Sequence, residues 1–285
     1  MDQTILAVGA DGKFAGLVVP ALVKRGVKVR GLVHTADKAS MMREIGVAEI
    51  AVGDLRDLAS IDRALEDVTS VFYVAPAFLP DEADVGKAVV GAALKAGVRR
   101  FVFSSVIHPV LSTLPNHAMK APVEEAVLNS GLEYTFLHPT LFFQNYAANW
   151  DKIVDTGILA EPWSSETRFS RVDYRDVAEV AAIALTEDRL LHGTFELCAE
   201  GELNRHDVAA LISEVLRRSI KAARTDPATL GDQAKPMRLM FEHYDRIGLV
   251  GSPLTLRAIL GREPRTLRAF FEQLASGAAE HGHGD

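Results

Sequence analysis

A repeated alternation between short apolar runs and helical stripes most constrains what this chain can fold into. Residues 4–8 form a short apolar run that stops at Gly9, which predicts a strand buried on both faces. From Phe14 to Leu22, apolar residues recur at the spacing of one helix face, and Gly26 ends that helix. Because strand then helix recurs five times in succession, the sequence predicts a parallel sheet with helices on both faces.

Right-handed crossovers make such a sheet doubly wound, as in the Rossmann fold of the α/β class. The predicted strands lie at residues 4–8, 27–33, 48–52, 71–74, 100–104 and 132–137. After the first helix, the predicted helices lie at residues 36–45, 58–65, 85–96, 118–129, 145–155, 174–185, 205–216, 236–247 and 264–274.

The pattern divides the chain into a sheet domain, a second lobe and a tail. Residues 1–150 are the predicted sheet domain. Residues 151–275 are predicted to form a smaller, mostly helical C-terminal substrate or cap lobe, interleaved with the sheet edge by a strand near 193–197. The tail at residues 276–285 is rich in Gly, Ala and His, which predicts disorder. Residues 107–116 hold two prolines and little periodicity, which predicts a long loop of the kind that is often functional.

Charge and cysteine content exclude several classes of protein. The chain has 31 Lys+Arg against 38 Asp+Glu, a net charge of −7, which argues against binding nucleic acid. Its one cysteine, Cys198, excludes an internal disulfide, a Cys-rich zinc site and CxxC redox chemistry, and we predict no metal site. Without a basic N-terminal region or an apolar run of 18 residues, we expect a cytoplasmic protein with no membrane segment.

A glycine-rich turn stands between the first predicted strand and the first predicted helix. The stretch GADGKFA at residues 9–15 has the spacing G-x-x-G-x-x-A, where Gly9 permits a tight turn and Gly12 permits close approach of a ligand. Backbone N–H groups there and the helix N-terminus suit a pyrophosphate. We therefore predict that residues 1–150 bind NAD(P), with contacts from Gly9, Asp11, Gly12, Lys13 and Phe14.

The end of the second predicted strand indicates which dinucleotide is preferred. A carboxylate at this position would bind the ribose 2′-hydroxyl of NAD. The residues here are instead Val33, His34 and Thr35, with Lys38 following and Asp37 placed late. Because His34, Thr35 and Lys38 can donate to a 2′-phosphate, we predict NADP(H) in preference to NAD(H).

The sequence also resembles the atypical short-chain dehydrogenases/reductases, and the NmrA-like group in particular, over residues 3–275. The motifs that carry the resemblance are ILAVGADGKFAG, VRGLVH, GDL at 53–55, VFYVAP at 71–76, RRFVFSS at 99–105, HAMKAPVEEAV at 117–127, GLEYTFLHPTLFFQNY at 131–146 and VDYRDVAEV at 172–180. The resemblance implies that Asp54 and Leu55 border the adenine. It also implies that Ala75 and Pro76 line the nicotinamide side, and Ser104 joins the predicted cofactor-binding set.

The chain departs from the catalytic pattern that the resemblance implies. Asn116 occupies the tyrosine position of YxxxK, and Val106 stands where extended members often place a catalytic hydroxyl, whereas the lysine is kept as Lys120. A standard alcohol–ketone dehydrogenase mechanism is therefore not expected. We predict that Lys120 orients the cofactor or acts as a base, and that His117 shuttles a proton. The alternative is a surface ion pair between Lys120 and Glu124, with His117 solvated.

An aromatic segment follows the sixth predicted strand. The resemblance implies that residues 142–146 line the substrate side of the cleft, although aromatic residues at helical spacing also pack in cores. His138 ends the same strand near the cleft, where a hydrogen-bonded core histidine is an equal alternative. The predicted substrate-lining residues are Phe142, Phe143, Asn145, Tyr146 and Trp150.

Two function hypotheses from different classes follow. The first is an NADPH-dependent oxidoreductase that transfers hydride to an aromatic or conjugated acceptor such as a quinone or enone. The second is an NAD(P)-sensing NmrA-like regulator with weak catalysis, which docks on another protein. A non-redox use of the fold, such as isomerisation, is a third possibility. The predicted partners are a small-molecule substrate, and for a regulator a protein, in a monomer or homodimer.

Overall fold

A computed structural model describes residues 3–76 and 78–277 of the chain. The predicted disorder of the tail concerns residues 276–285, of which residues 278–285 lie outside the described residues. The strands are β1 (Thr4–Val8), β2 (Lys28–Val33), β3 (Glu49–Val52), β4 (Ser70–Val74), β5 (Arg100–Ser104), β6 (Glu133–Pro139), β7 (Leu141–Phe142), β8 (Ile158–Glu161), β9 (Arg171–Val172), β10 (Gly193–Leu197) and β11 (Lys221–Arg224).

The α-helices connect these strands and build the C-terminal lobe. They are α1 (Ala15–Val23), α2 (Ala39–Glu44), α3 (Leu58–Ala64), α4 (Glu82–Lys95), α5 (Pro115–Ala118), α6 (Ala121–Ser130), α7 (Gln144–Ala147), α8 (Trp150–Thr156), α9 (Tyr174–Thr186), α10 (Arg205–Leu216), α11 (Arg238–Tyr244), α12 (Leu254–Leu260) and α13 (Leu267–Ala275). Short 3₁₀ helices lie at Ala36–Lys38, Pro227–Leu230 and Asp232–Met237.

Seven strands form the central sheet in the order β10-β6-β5-β4-β1-β2-β3, and every pairing is parallel. All five residues of β1 and of β5 are buried, as expected for strands covered on both faces. One face packs mainly against α1, α9 and α12, and the other against α3, α4 and α6. The predicted doubly wound parallel sheet is confirmed.

The C-terminal lobe has a core of its own. Residues from α8, α10 and α13 bury an aromatic cluster there, next to the two-stranded sheet of β8 and β11. Residues 151–275 nevertheless also contribute to the central sheet. The strand β10 pairs with β6, and α9 packs against one face of the sheet. The chain therefore leaves the sheet after β6, builds part of the lobe, and returns to the sheet before finishing the lobe.

Several boundaries differ from the sequence prediction. The predicted helix at 118–129 corresponds to α6, which begins three residues later than predicted, with Pro122 in its first turn, where the missing N–H costs nothing; the short helix α5 precedes it. The predicted helix at 145–155 is divided into α7 and α8. The helix α12 and the strands β7, β8, β9 and β11 were not predicted. Strands of two to four residues are too short to show an alternating pattern.

Candidate functional site

The glycine turn leads from β1 into α1 with the geometry that an anion-binding turn requires. Gly9 has a φ of 68°, in the left-handed region that favours glycine. The N–H of Gly12 donates to the Gly9 carbonyl at 2.8 Å. A Cβ on Gly12 would lie 3.0 Å from that same carbonyl oxygen, so a side chain here forces the turn to shift. Glycine at residue 12 therefore allows the turn to stay tight just before α1.

A cleft of about 240 Å³ opens beside this turn, at the carboxyl ends of the strands around β1. Such crevices are where doubly wound sheets bind nucleotides. Predicted site residues on its walls are Gly9, Asp11, His34, Asp54, Leu55 and Pro76. Its apolar lining is Val8, Leu32, Val33, Val74, Leu79 and Val85. The combination of an apolar slot and a glycine turn fits the adenosine and pyrophosphate of a dinucleotide.

Charged groups stand at the rim of the cleft. Lys38 Nζ lies 3.7 Å from an oxygen of Asp11, which joins two predicted cofactor-binding residues. Lys13 has no ion-pair partner among the described residues, and burial lowers the pKa of its ammonium. Arg56, which the sequence prediction missed, also lines the cleft and forms a two-point ion pair with Asp81 at 2.6 and 2.8 Å.

Phe14 and Ser104 both contact Tyr174. The Phe14 ring lies 4.4 Å from Phe142 and 5.0 Å from Tyr174, measured between ring centroids. The Ser104 hydroxyl is buried and hydrogen-bonds the Tyr174 hydroxyl at 2.9 Å. Tyr174 begins α9, so these contacts fix the glycine turn and the end of β5 to that helix. Contact of Phe14 and Ser104 with a cofactor stays a prediction.

Lys120 is buried and forms an ion pair with a residue of α4. Its ammonium donates to Oε1 of Glu82, the first residue of α4, and Glu82 is 1% exposed. Burial raises the pKa of the Glu82 carboxyl, and the Lys120 charge opposes that rise. The alternative of a surface pair between Lys120 and Glu124 is therefore wrong, because Lys120 points to α4.

Glu124 instead forms hydrogen bonds with two side chains at the carboxyl ends of β5 and β6. Ser105 Oγ donates to Glu124 Oε1 at 2.5 Å, and His138 Nε2 lies 2.8 Å from the same oxygen. Ser105 and His138 are both buried, and 14% of the Glu124 side chain is exposed. His138 is thus hydrogen-bonded through one ring nitrogen to a carboxylate that is itself nearly buried.

His117 is fully buried, so the alternative of a solvated histidine is wrong. Its Nδ1 lies 3.2 Å from the His108 carbonyl oxygen, to which it can only donate, and Nε2 has no hydrogen-bond partner. Burial lowers the pKa of His117 to about 4, with the His108 and Ile107 carbonyls opposing that shift. The ring is therefore neutral at pH 7. It can accept a hydrogen bond through Nε2 but holds no extra proton to give.

The predicted substrate-lining residues divide into two groups. Phe143, Tyr146 and Trp150 are buried in the aromatic core of the C-terminal lobe, where Trp150 stacks on Phe271 at 5.7 Å between ring centroids. Phe142 is half-buried and Asn145 is exposed. The core alternative therefore describes the first three side chains, and Phe142 and Asn145 remain accessible to a ligand.

Comparison with known proteins decides the family. The profile of the NmrA-like family matches residues 1–257. The chain belongs to the NmrA-like family. A relative named NAD(P)H azoreductase, from Xenophilus azovorans, is 30% identical and aligns with 93% of this chain and 96% of its own length. The resemblance predicted from the sequence motifs is confirmed.

Solved structures share the fold of this NmrA-like protein. An NADPH-dependent quinone oxidoreductase from Escherichia coli, complexed with NADPH, superposes with a TM-score of 0.84 at 20% identity, covering 96% of this chain and 100% of the other. A Citrobacter sp. triphenylmethane reductase complexed with NADP(H) gives a TM-score of 0.85 at 19% identity, covering 95% and 99%. At these identities the comparison shows a common fold.

Residues 3–76 and 78–277 of the NmrA-like chain lack two features. No helix there is both long and apolar enough to cross a bilayer. No group of three or more His, Cys, Asp or Glu side chains is arranged to hold a metal ion.

Sequence reasoning missed the acidic partners in this NmrA-like site. Glu82 lies 38 positions from Lys120, and the charge of a lone glutamate at a helix start gives no sign of that pairing. Glu124 was seen only as a helical neighbour of Lys120. One usable signal existed for Arg56, since it directly follows the predicted adenine residues Asp54 and Leu55.

Proposed function

We propose that this protein is an NADPH-dependent oxidoreductase that transfers hydride to a planar aromatic or conjugated acceptor, such as a quinone or enone. The observation that carries the proposal is the glycine turn opening into a cleft whose second-strand rim presents His34 and no carboxylate. The names of the relatives support it, because NAD(P)H azoreductase, quinone oxidoreductase and triphenylmethane reductase all imply conjugated acceptors.

The cleft sets the direction in which a dinucleotide would lie. Adenosine fits between the ends of β2 and β4, against Leu55 and Val85, and the pyrophosphate fits at Gly12 and the start of α1. The opposite half of the dinucleotide then extends toward the ends of β5 and β6. Ser105 and His138 lie at that end of the sheet, where both bond Glu124 of α6, and Lys120 directly precedes α6 and pairs with Glu82 of α4.

Bound NADPH would supply the hydride from its nicotinamide ring. The protein's own contribution is binding, orientation and exclusion of water. Glu82 holds the Lys120 ammonium in a fixed place beside α6. Asn116, with no ionisable hydroxyl, occupies the position that the family's YxxxK pattern gives to tyrosine. An acceptor that takes up electrons readily therefore suits this site better than a simple ketone.

Turnover with a panel of acceptors tests the proposal. Purified protein is mixed with NADPH and, in turn, a quinone, an enone and an azo dye, and the nicotinamide absorbance is followed. Oxidation well above the rate without protein supports a reductase. Tight NADPH binding with no oxidation by any acceptor would instead favour the regulator, which senses the dinucleotide without consuming it.

The preference for NADPH is tested at the rim of the cleft. His34→Asp places a carboxylate where it can accept from the ribose 2′-hydroxyl and repel a 2′-phosphate. We expect kcat/KM for NADPH relative to NADH to fall by about tenfold to a hundredfold, since a charged hydrogen bond contributes about 1.5–3 kcal/mol. The ratio is measured with a single acceptor. An unchanged ratio in His34→Asp would contradict an NADP preference set by this residue.

A further inference from the structure

His138 and Glu124 form a histidine–carboxylate pair at the carboxyl edge of the sheet. The ring nitrogen Nε2 of His138 lies 2.8 Å from Glu124 Oε1, which leaves Nδ1 with no hydrogen-bond partner among the described residues. Ser105 donates to the same carboxylate oxygen at 2.5 Å and fixes it from the β5 side. A carboxylate that binds one nitrogen of a histidine sets the orientation of the ring and directs its other nitrogen away from the carboxylate.

The pair lies where the reacting half of a bound dinucleotide would be. The cleft for adenosine lies on the side of β2 and β4, so the other half must extend over the ends of β5 and β6. Ser105 directly follows β5, and His138 is the last residue but one of β6. The His138 side chain is 8% exposed.

Other candidates for a proton donor near this edge are less suitable. Asn116 has no ionisable proton in the position of the family's tyrosine. His117 is buried and neutral, as its lowered pKa requires. The Lys120 ammonium is already held by the buried carboxylate of Glu82.

We infer that His138, oriented by Glu124, donates the proton that an acceptor takes up together with the hydride. The inference rests on the proposed reductase function. With an azo acceptor, the hydride of NADPH forms a new N–H bond on one nitrogen. The electron pair of the N=N π bond moves to the second nitrogen, which takes the proton from Nδ1 of the His138 imidazolium. NADP⁺ and a hydrazine result, and His138 regains its proton from water.

Two acceptors with different proton requirements test this role. 4-Aminoazobenzene needs a proton with the hydride, whereas crystal violet, a cationic triphenylmethane dye, becomes a neutral product by taking hydride alone. In His138→Gln, we expect the single-turnover rate with the azo compound to fall about a hundredfold, a typical contribution of a general acid. The rate with crystal violet should fall far less. A merely structural role for His138 predicts an equal loss with both acceptors.

A second variant and a matched control complete the experiment. Glu124→Gln keeps a hydrogen-bond acceptor for His138 and Ser105 but removes the charge, so it should show the same selective loss to a smaller degree. His206 forms a comparable pair with Glu166 at 2.9 Å on the surface, and His206→Gln should leave both rates unchanged. NADPH binding and circular dichroism establish that each variant is folded.

The outcomes separate this inference from the proposed function. If the unaltered protein oxidises NADPH with neither of these acceptors nor with a quinone or an enone, the reductase proposal fails. If it uses a quinone or an enone but not the azo compound, the reductase proposal stands and proton donation by His138 to an azo acceptor is overturned. If it reduces both, and His138→Gln or a folded Glu124→Gln slows both equally or neither, the reductase proposal stands and proton donation by His138 is overturned. A selective loss with the azo compound supports the inference.

Discussion

The buried side chain of His117 makes the stability of the fold sensitive to acid. His117 is fully buried with one hydrogen bond, to the His108 carbonyl, and its second ring nitrogen has no partner. Burial keeps such a histidine in its neutral form, because a charged ring would lose its hydration without gaining a counter-ion. The folded protein therefore resists protonation at a position where the unfolded chain does not.

The stability of the fold should consequently fall with acid in a particular range of pH. Burial lowers the pKa of His117 to about 4 from its ordinary value of 6.5. Above pH 6.5 neither the folded nor the unfolded state binds this proton, so the contribution of His117 is fully present. Between pH 6.5 and 4 the unfolded chain alone takes up the proton, and the free energy of unfolding falls by about 3 kcal/mol.

The variant His117→Phe, with a neutral ring of similar size, isolates this effect. We expect the difference in free energy of unfolding between pH 7 and pH 4 to be smaller by about 3 kcal/mol in the variant. Urea unfolding at a series of pH values measures it. If the two proteins lose stability in parallel over this range, His117 is not the group responsible.

At the scale of elements, Arg100 connects β5 to the end of α9. The side chain is 1% exposed and donates to the carbonyl oxygens of Ala184 and Glu187 at 3.0 and 2.9 Å. It also pairs with Glu133 of β6 and with Asp188. One guanidinium thus satisfies carbonyls at the C-terminal end of a helix and a carboxylate on the neighbouring strand.

Two adjacent arginines provide a comparison between buried and exposed pairing. Arg100→Ala leaves buried carbonyls without donors, so we expect a loss of roughly 3–5 kcal/mol in the free energy of unfolding. Arg99 pairs with the same Glu133 but is 56% exposed, so Arg99→Ala should cost less than about 1 kcal/mol. Chemical denaturation of both variants measures the difference. Equal losses would contradict a special role for the buried side chain.

The elements of the sheet were predictable because each carries a local signal. The apolar runs and glycine stops around Gly9, Gly26 and Gly97 indicated strands and helices to within a few residues. The pairings in the site were not predictable in this way. Spacing along a helix joins Lys120 to Glu124, whereas the folded chain joins Lys120 to Glu82 and Glu124 to His138. Such contacts depend on which helices pack together in the fold. The spacing of residues within one segment does not reveal that packing.

At the scale of the whole molecule, binding of NADPH should stabilise the fold. A ligand that binds only the folded state adds about 2.7 kcal/mol at a concentration one hundred times its Kd. For a chain of 285 residues we expect the Tm to rise by about 4–5 °C. In Gly12→Val, the added side chain meets the Gly9 carbonyl and fills the turn, so NADPH should no longer raise the Tm. Differential scanning fluorimetry compares the two proteins with and without NADPH. A full shift in Gly12→Val would place the dinucleotide elsewhere.

The position of β10 has a consequence for synthesis on the ribosome. This strand covers the edge of β6, yet α7, α8 and α9 must be translated before it emerges. For several seconds at ordinary rates of elongation, a nascent chain displays β6 as an open strand edge. Open edges pair with other chains. Products that terminate before Gly193 would therefore be prone to aggregate, and chaperones that shield nascent chains should matter most while this interval is being translated.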